Sequence, residues 1–197
     1  MSVVAQDVTV TIQCAEGICP VRALGGSEYS WSARTTTLNQ LYANQEKYVL
    51  LEVEVPATAA EKQREIAQVK VNYLDMMTHH AEYLVDTASL RFTANPRLVE
   101  ESVDKDVMVS VTEQVALEKN KEAITLRDAG KTKEAEQLLR RNADYLDEEA
   151  KKYGSERLQK QKESNEKAAG SVSSPDWSRE RKQMRKDQNA IENQQSW

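Results

Sequence analysis

The stretch DVTVTIQC (residues 7–14) alternates strictly between apolar and polar residues. Its apolar members fall on one side of an extended chain, and its polar members fall on the other; the apolar set is Val8, Val10, Ile12 and Cys14. A period of two is the signature of a half-buried β-strand. The stretch therefore predicts a strand whose apolar face packs into a core.

Further strand-like segments follow this one up to about residue 95. They are separated by turn signals, and no helical spacing intervenes; the segments read VRAL, YSWSA, TTTLNQLY, YVLLEVEV, EIAQVKVNYLDM and ASLRFTA. Short strands at this spacing without crossover helices are typical of an antiparallel sandwich. We therefore predict a β-sandwich over residues 1–95, with YVLLEVEV (residues 48–55) as a central strand.

Apolar residues fall at helical spacing after Asn95 and Pro96. Valines recur every fourth position at Val103, Val107, Val111 and Val115, and two strongly helical stretches follow that end near Gly130 and Gly154. Two helices joined by about three residues form an antiparallel hairpin. We expect this hairpin over residues 96–154, packed on the sandwich.

The last segment, residues 155–197, is polar and reads as a linker with a short terminal helix. The predicted fold class is thus α+β. It comprises an antiparallel β-sandwich, then an antiparallel helical hairpin, then a polar, partly disordered C-terminal tail.

The composition excludes several classes of protein. The chain has 197 residues, a net charge of −5 and 30% charged residues, with both signs interspersed. This balance lacks the basic footprint of a nucleic-acid-binding protein. No run of about 18 apolar residues is present, so no transmembrane segment is expected. The N-terminus MSVVAQDVTV has no basic segment followed by an apolar core, so we expect no signal peptide in this chain.

Catalytic and metal-binding patterns are weak. The histidines of HHAE, His79 and His80, are adjacent and point to opposite faces of a strand, which favours a polar hairpin loop over a metal site. In DVTVT the strand continues, so the hydroxyls of Thr9 and Thr11 do not converge with Asp7 on a cation. Nucleophile–base pairs and nucleotide-binding loops are not recognisable. We therefore predict no catalytic residues, no metal, no cofactor and no enzymatic activity.

Two further features leave alternatives open. Cys14 and Cys19 lack the partners of a zinc site, so they are small turn residues, a local disulfide in an oxidising compartment, or metal ligands, in decreasing order of preference. The block RERKQMRK (residues 179–186) is basic. A solvated helix face is favoured there over a site for a membrane surface or an acidic partner.

Several segments together resemble a known family. DVTVTIQC, PVRALGG, TTTLNQLYANQEKYVLLEVEVP, AQVKVNYLD and AGKTKEAEQLL are similar to the region after the metal-binding domain in bacterial von Willebrand factor type A proteins, including those called calcium-activated chloride-channel-like. The resemblance covers roughly residues 5–153. It implies a C-terminal accessory region without the type A domain itself, and hence a truncated fragment to which no cation-site residue carries over.

This resemblance implies a function and a location. The implied function is a non-enzymatic structural module that supports protein–protein interaction, with a protein partner such as a type A domain. The alternative is a free-standing interaction module that uses the helical hairpin and the basic tail. Such proteins are often exported, which implies a periplasmic or cell-envelope location and would permit a disulfide between Cys14 and Cys19.

Overall fold

The computed structural model describes residues 2–25 and 29–194 of the chain. The chain divides into two compact units, the first reaching residue 102 and the second starting at residue 103. The first unit holds the strands and one short helix, and the second holds four longer helices.

Seven strands form two antiparallel sheets in the described part of the first unit. The strands are β1 (Val3–Cys14), β2 (Cys19–Leu24), β3 (Tyr29–Ser30), β4 (Thr35–Tyr42), β5 (Leu50–Glu54), β6 (Gln63–Asp75) and β7 (Ala81–Arg91). A five-stranded sheet has the order β3-β4-β1-β6-β7, and β2 pairs with β5 in a separate two-stranded sheet. Every pairing is antiparallel.

Strand β1 lies in the middle of the large sheet. Val8, Val10 and Ile12 are buried and Cys14 is half-buried, so the alternation predicted for this strand is confirmed. Val10 lies opposite Thr36 of β4 on one side and Val71 of β6 on the other. β-Branched residues stabilise a strand most where it has neighbours on both edges and one buried face, because their side chains then pack against residues of both adjacent strands.

The predicted β-sandwich is wrong. The structure is a mixed fold of a five-stranded sheet, a two-stranded sheet and five helices over the described residues. The segment expected as a central strand, residues 48–55, contributes only β5, whose one partner is β2. Alternation of apolar and polar residues indicates that one face of a strand is buried. It does not indicate whether a second sheet or a helix covers that face, and the prediction of a sandwich was wrong for this reason.

The helices have identifiable boundaries. They are α1 (Pro96–Glu101), α2 (Lys105–Asp128), α3 (Thr132–Tyr153), α4 (Glu156–Ser171) and α5 (Trp177–Glu192). The Asp104 side chain caps α2 by accepting from the N–H groups of Asp106 and Val107. Gly130 and Gly154, which follow α2 and α3, have φ of +80° and +67°, the left-handed conformation that glycine adopts without strain. Both helix ends predicted at these glycines are confirmed.

The helical hairpin with a partly disordered tail is also wrong. The predicted linker is α4, and α5 follows it, so that four helices share one core. The larger cluster joins Ala123 and Ile124 of α2 and Leu139 of α3 to Val172 and Trp177. A smaller cluster joins residues of α2, α3 and α4: Val109, Ala116, Leu146, Ala150 and Leu158.

The inward face of α2 differs from the predicted valine stripe. Val103 and Val107 are 38% and 47% exposed, whereas Val109, Leu117 and Ile124 are buried. The valines repeat every four residues, and this repeat drifts around a helix of 3.6 residues per turn. The actual buried face needs spacings of three and four residues in turn.

Candidate interaction surfaces

Strand β7 is an edge strand with exposed apolar side chains. Among the described residues it pairs only with β6, and all its residues except Leu90 are exposed. Tyr83, Leu84 and Val85 are 64%, 61% and 50% exposed. Natural proteins usually shorten or cover such edges, because unpaired main-chain groups there can pair with another chain. An 11-residue edge with three consecutive exposed apolar residues is therefore a candidate binding surface.

One row of side chains crosses the sheet and ends at this edge. Thr36, Val10, Val71 and Leu84 lie opposite one another on successive strands β4, β1, β6 and β7. Thr36 and Val10 are buried, Val71 is half-buried and Leu84 is exposed. The face that is buried in the middle of the sheet thus opens to solvent at β7.

Acidic residues flank Leu84 on the same face of β7. Side chains two residues apart along a strand share a face, so Glu82 and Asp86 lie on either side of Leu84. The Asp86 carboxylate accepts from the N–H of Thr87 at 2.8 Å. The edge therefore presents an apolar residue between two carboxylates, and one of its main-chain donors is already occupied by a side chain.

The turn between β6 and β7 contains both histidines. The Asp75 carboxylate accepts from the N–H groups of Met77 and Thr78 at 2.7 and 3.0 Å. These backbone hydrogen bonds, that from Thr78 contributing most, lower the pKa of Asp75 below its ordinary value. His79 and His80 are exposed, and His79 adopts a φ of +57°.

The other candidate residues of the first unit lie on and beside β1. Cys14 and Cys19 are free thiols, the first half-buried and the second exposed. Asp7 is exposed with a φ of +51°, at an irregularity in the pairing of β1 with β6. No group of three or more His, Cys, Asp or Glu side chains that could hold a metal exists within residues 2–25 and 29–194.

The basic block RERKQMRK belongs to α5 and divides between two faces. Glu180 and Met184 are buried, and Arg181 forms an ion pair with Asp128 of α2. Arg179, Lys182 and Lys186 are exposed and line a cleft of about 380 Å³ together with Lys167 of α4. The predicted helix is thus present, and three of its cations lie on an exposed face, as expected for a solvated helix face.

Hydrogen bonds order the polar side chains of this cleft. Lys167 lies 3.2 Å from the buried carboxylate of Glu180. Gln183 donates to the Asp187 carboxylate at 2.6 Å. Burial raises the pKa of Asp187, and Gln183 and Lys186 oppose this shift.

Sequence reasoning missed the central part of β7. The predicted strand began at Ala88 and treated the residues before it as a loop, whereas β7 begins at Ala81. Tyr83, Val85 and Thr87 are residue types enriched in strands, and they supplied a signal for the earlier start. The exposure of Leu84 had no comparable signal, since a leucine in a strand is more often buried.

Comparisons with known proteins identify the fold. The von Willebrand factor type A protein from Catenulispora acidiphila is similar to this chain with a TM-score of 0.58 and 15% sequence identity, over 81% of this chain and 40% of that one. The ArnB paralog VWA2 from Sulfolobus acidocaldarius is similar with a TM-score of 0.48 and 17% identity, over 92% of this chain and 42% of that one. No family model matches the chain. No curated protein matches it either.

The comparisons overturn the resemblance inferred from sequence. We expected an accessory region that lacks a type A domain. That expectation is wrong, because the solved structure of a type A protein matches four-fifths of this chain, and the chain itself therefore resembles that fold. At 15% identity the likeness shows a shared fold and nothing about activity. The chain spans about two-fifths of the length of the protein that it matches.

Within the described residues, no helix combines the length and the apolar character that crossing a bilayer requires.

Proposed function

We propose that this chain is a non-enzymatic protein-binding module that receives an extended segment of a partner alongside β7. Folds of the von Willebrand type A class commonly serve as protein-interaction modules, which supports this class of function. One observation carries the proposal. Leu84 is exposed on β7, and β7 is an edge strand with no second neighbouring strand in the described part of the chain. Strand addition supplies main-chain hydrogen bonds for affinity and alternate side chains for specificity.

The exposed face of β7 specifies the chemistry of the partner segment. An added strand would continue the row from Val10 through Val71 and Leu84 with an apolar residue. Its neighbours on the same face would lie beside Glu82 and Asp86. Opposite charges directly across a strand pair stabilise it, and like charges destabilise it. The partner segment therefore carries a cation, an apolar residue and a cation at alternate positions.

Two synthetic peptides test this proposal directly. The first alternates threonine with lysine, valine and lysine, and the second replaces both lysines by glutamate. Hydrogen exchange followed by NMR should show that the lysine peptide protects backbone amides of β7 and that the glutamate peptide does not. Protection confined to other parts of the chain would contradict the proposed site.

Matched variants sharpen the test. Leu84→Lys removes the apolar anchor and should weaken binding of the lysine peptide at least about tenfold, a change of roughly 1.4 kcal/mol. Met77→Lys is the control, because Met77 is 85% exposed in the adjacent turn but lies outside β7. Asp86→Lys should abolish the preference between the two peptides, because each peptide would then meet one opposite and one like charge across the strand pair. Equal effects of the Leu84 and Met77 substitutions would count against strand addition.

Absence of catalysis is a separate part of the proposal. Purified chain should not accelerate hydrolysis of a panel of activated ester, phosphate and glycoside substrates beyond the rate seen with heat-denatured protein. Turnover that co-purifies with the protein in a final chromatography step, and that is lost on a point substitution in the chain, would refute this part of the proposal.

A further inference from the structure

The second unit carries a separate charged surface that the proposed function does not use. Arg179, Lys182 and Lys186 follow the spacing i, i+3, i+7 on α5, which places them on one side of the helix. Lys167 of α4 completes the lining, together with Glu180 and Gln183. The cleft thus holds four cationic groups and one carboxylate, on a chain whose net charge is −5.

Three cations of α5 have no ion-pair partner among the described residues, although Lys186 interacts with the neighbouring Asp187 carboxylate. The only carboxylate of the lining, Glu180, is buried and is engaged by Lys167. Arg179, Lys182 and Lys186 form no salt bridge with any residue in the described parts of the chain. Like charges three and four residues apart on a helix repel one another, so this row destabilises α5 in the absence of a counter-charge.

We propose that this cleft binds a phosphate-bearing anion. The cleft is open to solvent, and its volume of about 380 Å³ leaves room for a phosphoryl group among the cations. A guanidinium group binds phosphate through paired N–H donors, and ammonium groups add charge around it. A phosphate monoester carries about −1.5 to −2 charge at pH 7, so one or two phosphoryl groups match the excess of three positive charges in the lining.

The lining argues against single-stranded nucleic acid as the source of the phosphate, and the net charge of −5 argues against a duplex. Binding of single strands relies on aromatic side chains that stack on bases. The lining is composed of charged and amide side chains throughout: Lys167, Arg179, Glu180, Lys182, Gln183 and Lys186. The phosphoryl group therefore comes from a small soluble phosphate compound or from a lipid headgroup.

Titration of the full chain with pyrophosphate, followed by backbone NMR, tests the site. We expect saturable shifts of amide resonances along α5 from Arg179 to Lys186 and at Lys167. The double substitution Lys182→Ala with Lys186→Ala should weaken binding roughly tenfold to a hundredfold, the effect expected for loss of charge-assisted contacts. Arg185→Ala is the matched control, since it removes an exposed cation from the same helix but outside the cleft lining.

Thermal unfolding of the double variant shows whether a loss of pyrophosphate binding arises from the site itself or from a loss of folded protein. The double alanine variant should unfold at the same temperature as the wild type or slightly above it, because like-charge repulsion is relieved. A loss of binding accompanied by a clear loss of helical signal would count against the proposal.

Two further arms identify the source of the phosphate. Co-sedimentation with vesicles of phosphatidylcholine and phosphatidic acid, but not with phosphatidylcholine alone, assigns the site to lipid headgroups. Pyrophosphate binding without co-sedimentation assigns it to soluble phosphates. Absence of both, equal loss in the Arg185 variant, or equally tight binding of a poly-glutamate peptide would overturn the inference.

Discussion

Asn142 is a fully buried amide at the centre of the helical unit. Its side-chain NH₂ donates to the carbonyl of Ala116 and to the Asn120 side chain, both at 2.9 Å, and lies 3.3 Å from the Asn165 side-chain oxygen. Three helices therefore meet at one polar group. Such a group favours a single alignment of the helices, because any shift leaves buried acceptors without a donor.

Replacing Asn142 by alanine should destabilise the second unit. The change removes the donor to the Asn120 and Asn165 side-chain oxygens, and it should lower the free energy of unfolding by about 1–3 kcal/mol. Denaturant unfolding followed by helical circular dichroism measures this loss. Arg140→Ala provides the control, because its ion pair with Glu136 is largely exposed and should contribute less than about 1 kcal/mol. Similar losses for both variants would contradict the assigned role of Asn142.

Asp75 should titrate below an ordinary aspartate. Its pKa is lowered mainly by the N–H of Thr78 and then by that of Met77. A carboxyl whose pKa is depressed in the folded state stabilises the fold above its unfolded pKa and loses this contribution as pH falls through the folded pKa. An NMR titration of the Asp75 carboxyl in folded and urea-unfolded protein checks the direction. A folded midpoint equal to or above the unfolded one would show that the turn is not closed in this way.

Helix α5 depends on few but large apolar contacts. Trp177 and Met184 are buried in the larger cluster, and Arg127 of α2 lies 6.0 Å from the centre of the Trp177 ring. The Arg127 side chain also donates to the carbonyl of Val172 at 2.7 Å. The beginning of α5 is thus held against α2 by both apolar and polar contacts.

Replacing Trp177 by alanine should release this helix. Truncating a buried tryptophan costs about 3–5 kcal/mol, and α5 has little other apolar surface to compensate. Hydrogen exchange should show that amides of α5 lose protection while those of α3 keep theirs. The control is Trp31→Ala, because Trp31 is 49% exposed in the first unit. Uniform loss of protection across α2 to α5 would mean that the four helices unfold as one.

A comparison of β1 with α4 shows which elements can be predicted from the sequence. Strand β1 was predictable because its apolar residues alternate without interruption. Helix α4 was predicted as a linker because Leu158 is the only large apolar residue among its buried positions, the others being Asn165, Ala168 and Ala169. These positions have helical spacing, but alanine and asparagine carry little hydrophobic signal. The Ser155 side chain, which caps α4 by accepting from the N–H of Leu158, was the clearer sign of a helix start.

The candidate sites were less predictable than the elements. The basic block on α5 was visible in the sequence, but its division into a buried, a paired and a cleft-lining face depends on packing against α2 and α4. Likewise, β7 is an edge strand only because β3, β4 and β1 all lie on the other side of β6. Strand order is set by long-range pairing, which a single sequence does not encode in a local pattern.

The two units should fold independently. Each hydrophobic cluster of the helical unit draws its buried residues from beyond residue 103. Expressed alone, residues 103–197 should therefore give a helical spectrum and a cooperative thermal transition close to that of the full chain. A fragment that remains unfolded would show that the helices need the strands for stability. Residues 1–102, expressed in parallel, give the complementary measurement.

The Asp86 carboxylate has a consequence for how the chain behaves when concentrated. Open strand edges are where fibrils nucleate, since one copy can template the next. On β7, Asp86 occupies the N–H of Thr87, and with Glu82 it places like charges on any two edges that approach each other. Stacking of identical copies is therefore disfavoured, while a basic foreign segment is not. Under the proposed function, the residue that would select a basic partner is also one that opposes edge-to-edge pairing of identical copies.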